Sequence, residues 1–279
     1  MLTDELKLSD KEKEYKKKID NFGKTTIKKV ENTSKMFGST VNQVANSMEY
    51  SNDIEKDITN LNEIVKKLDP SGVDFTVKKR LFFNPVKKYF NRIKSEESNI
   101  RFFIENLKKE RDILKRDNIT LEIEIKNLDS IIKHIDIEYE NGLILKNEID
   151  ESLKNLKDKS KENYYIQNYI EPLDKRLYDL KQMAIIKQQS VLALEIICRN
   201  NREIIRNLEK IQNVTMEALN TAIMMANSLH NQKVVLNKVQ KSDAFENFYQ
   251  TINDAESQNK TKFPEIKSRI IEIKQIEDI

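Results

Sequence analysis

Apolar and polar positions follow one dominant beat along this chain. From Leu173 to Leu236 an apolar or small residue returns in alternating steps of four and three, through Leu177, Leu180, Ala184, Val191, Leu194, Cys198, Ile205, Leu208, Leu219, Ala222, Ala226 and Leu229. Such a repeat keeps one side of a slightly under-wound helix against a partner, so the stretch predicts a long coiled-coil-like helix. Polar residues interrupt its seam at Lys187, Asn201, Gln212, Thr215 and Lys233. The same beat runs through Ile27, Val30, Ser34, Phe37, Val41, Val44 and Met48, slips in phase, and resumes at Ile54, Ile58, Leu61, Val65 and Leu68. A slip of this kind alters local winding without ending a helix, so one continuous helix is expected there. A third helix is expected from Pro85 to about Asn141. Ile100, Leu107, Leu114, Leu121, Leu128 and Ile135 form its main line, and Arg111 and Asn118 stand where a second apolar line is expected.

Breaks between these stretches follow turn chemistry. Asp69-Pro70-Ser71-Gly72 ends the first long helix, because the residue before a proline disfavours helix. Asp74 is placed to cap a short helix through Phe83. Asn84 caps the next helix, with Pro85 at its first position. Asn141-Gly142 is expected to close that helix, both residues tolerating the left-handed conformation. A charged helix over 143–162, a turn at 160–163 and a start or kink at Pro172 follow. Lys262-Phe263-Pro264 is expected to break the C-terminal region, leaving a final short helix striped by Ile266, Ile270, Ile273 and Ile276. Residues 1–23 are charge-rich and read as a frayed helix or solvated arm. No short alternating run signals a strand.

The expected fold is therefore all-α, an elongated antiparallel bundle of long coiled-coil-like helices. It would be about 90 to 100 Å long if residues 173–236 form one straight helix. Its expected divisions are an N-terminal arm over 1–24, a long-helix bundle over 25–240 and short C-terminal helices over 241–279.

Composition sharpens this picture. Gly and Pro number only four each in 279 residues, so turns are few and elements long. A net charge of +3, from 49 basic and 46 acidic residues, gives no general pull towards nucleic acid. The single cysteine, Cys198, excludes an internal disulfide and suits a reducing cytoplasm; on the seam it reads as a small buried hydrophobe. The N-terminus lacks the apolar core of a signal peptide, and no window is apolar enough to span a bilayer. Four scattered glycines cannot build a phosphate loop, and His134, His230 and Cys198 cannot make a familiar zinc site, so neither cofactor nor metal is expected. His134 reads as a boundary histidine. No acid pair is singled out for acid–base work, because a raised pKa requires burial.

Three features rise above this background. Val77 to Lys94 (VKKRLFFNPVKKYFNRIK) carries Lys78, Lys79, Arg80, Lys87, Lys88, Arg92 and Lys94 with no acid, interleaved with Phe82, Phe83, Tyr89 and Phe90. Such a segment can seat a protein on anionic lipid or phosphate, or its aromatics can plug a bundle end while its bases face water. Arg199, Arg202 and Arg206 share a helix face, and Asn201 lies on the seam itself. Asn201 is expected to meet Arg111, Asp117 and Asn118 on the antiparallel helix as a buried polar layer that fixes register. The alternative is an anion pocket of arginines and amides. Ala218, Ala222 and Ala226 allow close helix packing or leave a groove.

Four segments, LDPSGVDFTVKKRLFFNPVKKYF (68–90), KRDNITL (115–121), RNNREIIR (199–206) and TAIMMANSLHNQKVVL (221–236), together resemble the toxic anion resistance (TelA-like) family over roughly residues 25–240. The resemblance implies an all-helical, cytoplasmic bacterial protein linked to resistance to tellurite and to envelope stress. Two functions are then expected as alternatives. One is a non-enzymatic scaffold that binds another protein, a further copy of itself or the inner membrane surface, but not nucleic acid. The other is direct oxyanion binding by Arg199, Arg202 and Arg206 with Arg111 and Asn118. A generic nucleic-acid or filament coiled coil fits less well, given the balanced charge and the break at 69–84.

Overall fold

The computed structural model describes residues 10–48, 51–73, 75, 84–154, 162–230 and 243–277. Among them the fold is all-α, with no strand. The helices are α1 (Asp10–Asn21), α2 (Lys24–Ser47), α3 (Ser51–Leu68), α4 (Pro85–Lys154), α5 (Glu162–Tyr165), α6 (Glu171–His230) and α7 (Asp243–Glu277). A 3₁₀ turn, Pro70–Gly72, follows α3, and a π turn, Ile166–Ile170, joins α5 to α6.

Local chemistry sets most of these ends. The Asp69 carboxylate accepts from the Ser71 N–H at 2.9 Å and from the Ser71 hydroxyl at 2.7 Å, stopping α3 where the Asp-Pro pair predicts. Asn84 Oδ1 accepts from the Lys87 N–H at 3.1 Å, capping α4 with Pro85 in its first turn. Pro172 follows directly on the π turn within a run that is helical from Glu162 to His230, so its missing N–H falls where the wider turn has shifted the backbone hydrogen bonds. The Glu171 N–H reaches back to the Ile166 carbonyl, which closes the π turn just before it.

Several expectations are corrected. The phase slip after Met48 does not sit inside one helix: α2 ends at Ser47 and α3 starts at Ser51. Asn141-Gly142 does not close α4, which continues to Lys154. A Cβ at Gly142 would lie 2.4 Å from Phe22 Cζ and 2.5 Å from Leu177 Cδ2, so the glycine serves a close approach of helices. Pro264 does not break α7, because Phe263 and Ile266 on either side of it are buried and hold the turn in the core. Asp10–Asn21 is a packed helix rather than an arm: Tyr15, Ile19 and Phe22 bury themselves among its lysines. Arg176 donates to the carbonyls of Ile19 and Phe22 at its end, and Gly23, at φ 74°, turns the chain into α2. The short helix expected after Asp74 and the seam positions beyond His230 lie outside the described residues.

The chain forms two compact units, a division different from the expected one. Unit 1 comprises Met1–Val41, Glu122–Glu195 and Glu272–Ile279. Its core gathers Ile19, Phe22, Ile135, Ile149, Leu173 and Leu177 with the rings of Tyr165 and Tyr169. Here α4 and α6 run antiparallel, joined by Lys146 Nζ to both Asp174 oxygens at 2.6 and 2.8 Å. Unit 2 comprises Asn42–Leu121 and Ile196–Ile271. It buries Ile58, Leu61, Leu107, Leu121, Leu208 and Phe248. Its α6–α7 pairs, Asn200 with Glu265 and Asn207 with Gln258, show that α7 lies antiparallel to α6 as part of this core.

Candidate functional site

Asn201, Gln212 and Thr215, three of the polar interruptions of the apolar seam, lie inside unit 2, whereas Lys187 lies in unit 1, where its Nζ donates to Ser34 Oγ at 2.7 Å. The rising numbers of α4 meet falling numbers of α6: Arg111 with Gln212, Lys115 with Glu209, Asn118 with Asn201. Asn201 is wholly buried and Asn118 nearly so. Asn201 Nδ2 donates to Asn118 Oδ1 at 3.0 Å, and Asn118 Nδ2 donates to the backbone carbonyl of Cys198 at 3.2 Å. Asp117 is buried beside them. A carboxamide pair placed among leucines can bond in few registers, because sliding the helices would strand further donors in an apolar core; here Asn201 Oδ1 alone of the pair's polar atoms is buried without a partner.

The other residues of the expected layer lie elsewhere. Arg111 Nε and Nη2 donate to Asp112 Oδ1 at 2.9 and 2.8 Å, and its Nη1 reaches Gln212 Oε1 at 3.4 Å, two turns from the amide pair. Arg199, Arg202 and Arg206 are exposed, each one residue after a seam position and so turned about 100° from the seam. Amides and arginines therefore face different surroundings. Cys198 is buried and in no disulfide, and His134 is exposed. Ala218, Ala222 and Ala226 are buried, which closes the groove that small residues could have left.

Some polar contacts were not read from the sequence. Asn200 Nδ2 donates to Glu265 Oε2 and Asn207 Nδ2 to Gln258 Oε1, each at 2.9 Å, while Lys262 pairs with Glu203. Asn200 and Asn207 are a heptad apart on the flank of the seam, a periodicity that could have marked them. Lys262, aided by Arg199 and Arg206, lowers the Glu203 carboxyl below its ordinary range. Between α3 and α4, Glu110 is buried opposite Asp57 and Asp53, and burial first, then those two charges, push its carboxyl up to about 8. Burial likewise raises Asp57, against a hydrogen bond from Asn106.

In the basic–aromatic stretch, Lys78, Lys79 and Arg80 lie outside the described residues, as do Phe82 and Phe83. Tyr89 is buried, edge-on to Phe75 at 5.4 Å, and its hydroxyl donates to the Leu68 carbonyl at 2.7 Å. Burial drives that phenol upward, and so helps keep it a donor. Arg92 Nη1 donates to the Lys67 carbonyl at 2.9 Å, whereas Lys87 and Lys88 are exposed. The Tyr249 hydroxyl ties α7 to Asp69 at 2.9 Å. No helix among the described residues is long and apolar enough to cross a membrane.

A family model described as toxic anion resistance protein (TelA) matches residues 7–248, taking in α1 through the start of α7. No curated protein and no solved structure matches the chain.

Proposed function

Because this chain belongs to the toxic anion resistance (TelA) family, whose role is in resistance to toxic anions such as tellurite, we propose that it serves that role as a non-enzymatic helical interaction protein. The observation that carries this reading is the use made of the seam amides. Asn118 and Asn201 bond each other and a backbone carbonyl, so the residues best suited to grip an anion act to hold helix register. Arg199, Arg202 and Arg206 are exposed on α6, apart from those amides. The direct oxyanion-binding alternative needs arginines and amides in one pocket, and it is the weaker reading for that reason.

The site of action is the cytoplasm, with docking on the anionic inner face of the membrane through the basic segment Val77 to Lys94. Exposed Lys87 and Lys88 beside a buried Tyr89 support this: the ring anchors the segment while the cations stay available to phosphate headgroups. Flotation with vesicles tests it. Phosphatidylglycerol vesicles should carry the protein at low salt, neutral vesicles should not, and Lys87→Glu with Lys88→Glu should weaken recovery. Recovery indifferent to lipid charge removes the docking claim. Calorimetry with tellurite tests the scaffold against the anion binder: no saturable heat is expected, and heat that disappears in Arg202→Ala would reverse the choice.

A further inference from the structure

The outward side of α4 changes sign along its length. At every seventh residue Arg101, Lys108 and Lys115 are basic, and the Glu122, Asp129 and Asp136 that follow are acidic. These bases belong to unit 2 and these acids to unit 1. The next line around the helix has the opposite order, with Glu105 and Asp112 in unit 2, then Lys126 and Lys133 in unit 1. All of these but Glu122 are exposed. Beside them each unit holds out an apolar side chain, Phe102 at 60% exposed and Ile137 at 59%. The core residues Leu107, Leu114, Leu128 and Ile135 are buried on the other side of the helix.

We propose that a second copy of this chain docks on this face, with α4 of unit 2 in one copy antiparallel to α4 of unit 1 in the other. In that register Arg101 meets Asp136 of the copy, Lys108 meets Asp129, Glu105 meets Lys133 and Asp112 meets Lys126, while Phe102 packs on Ile137. No like charges oppose each other. Each side of the contact lies within a single unit, so the match asks nothing of how a chain's two units are set. The paired segments, 101–112 and 126–137, are each about 17 Å long at the helical rise. The surface is separate from the basic segment 77–94, and the pairing stands whether or not that segment meets lipid.

The apolar side chains select direction and register. A parallel pairing that keeps Glu105 and Asp112 on Lys126 and Lys133 sets Phe102 against Glu122 and Ile137 against Lys115. An antiparallel slip of one heptad sets Glu105 on Glu140 in one direction and Phe102 on Ser130 in the other. Arg101 and Lys108 already bridge to Glu97 and Glu105 of their own helix. Exposed bridges of this kind are weak, so they yield to the charges of an opposing chain. Lys115 holds Glu209 and is left out of the pairing. One apolar pair amid exposed charge makes a small contact, so association is reversible and sensitive to salt.

Sedimentation velocity of the full chain over a concentration series should show reversible association at low salt that fades at high salt. Reversing the bases, Arg101→Glu with Lys108→Glu, should weaken it roughly ten-fold or more. Reversing the acids, Asp129→Lys with Asp136→Lys, should do the same, with helicity unchanged in both. Mixing the two reversed chains should restore association, because acid again meets base across the contact. In a Cys198→Ala background, Phe102→Cys chains mixed with Ile137→Cys chains should form disulfide-linked pairs on mild oxidation, and neither should link to itself. Monomer at every concentration, with no mixed disulfide, overturns the proposal. So does association that the reversals leave unchanged, a mixture of reversed chains that stays apart, or a Phe102→Cys chain that links to itself and not to Ile137→Cys. Phe102-dependent flotation with anionic vesicles by a chain that stays monomeric assigns the face to lipid and overturns it as well.

Discussion

Asn201 and Asn118 show what one polar residue decides in an apolar seam. Asn201→Ala leaves Asn118 Oδ1 without its donor, and should cost about 1 to 3 kcal/mol in denaturant unfolding. Replacing both by leucine removes donor and acceptor together. That double variant should be close to the parent in stability, while cysteine pairs across α4 and α6 report mixed registers. Glu110 makes a second residue-scale prediction. Its carboxyl is raised to about 8 in the folded chain, so between the ordinary carboxylate range and about pH 8 the folded state holds a proton that the unfolded chain has released. Stability should therefore fall as pH rises through that window and level off above it. Glu110→Gln should flatten the slope measured by urea midpoint; an unchanged slope would place the protonation elsewhere. The two residues differ in legibility. Asn201 and Asn118 break an apolar rhythm and so announce themselves, whereas Glu110 is one acid among many on a charged helix, and only the approach of α3 buries it.

At the scale of elements, periodicity located the long helices and their capped ends, and misjudged where they stop. Asn141-Gly142 and Pro264 carry local signals for termination, but tertiary packing overrides both. Gly142 is the sharper case, because the feature that suggested a helix end is what lets Phe22 and Leu177 close on α4. Gly142→Ala should destabilise by about 1 to 3 kcal/mol, the usual cost of overpacking. Gly38, inside α2 with nothing within 4 Å of an added Cβ, should respond the other way. Gly38→Ala is expected to stabilise by up to about 1 kcal/mol through helix propensity. Thermal unfolding of the two variants side by side separates packing from propensity. That α1 packs rather than frays was not legible, because Tyr15, Ile19 and Phe22 follow the four-three spacing over a single short stretch amid lysines, too few turns to stand out from a charged tail.

For the whole molecule, the all-α fold and the family were legible, the first from the scarcity of Gly and Pro and the long repeats, the second from four separated segments in order. The grouping into two units was not legible, because its boundaries all fall inside helices, after residue 41 in α2, 121 in α4, 195 in α6 and 271 in α7, where the apolar repeat marks no break. Nor was the separation of amides from arginines, although a step of one residue along a helix turns a side chain by about 100° and carries Asn201 inward while Arg202 faces out. That separation underlies the central claim, that the protein takes part in toxic anion resistance by contact with other macromolecules. Crosslinking mass spectrometry in tellurite-challenged cells tests it most directly. The account predicts crosslinks from exposed lysines of this chain to another protein or to a second copy, and their loss together with resistance when the contacting surface is reversed in charge. Resistance that persists while every crosslink stays within one chain would contradict it.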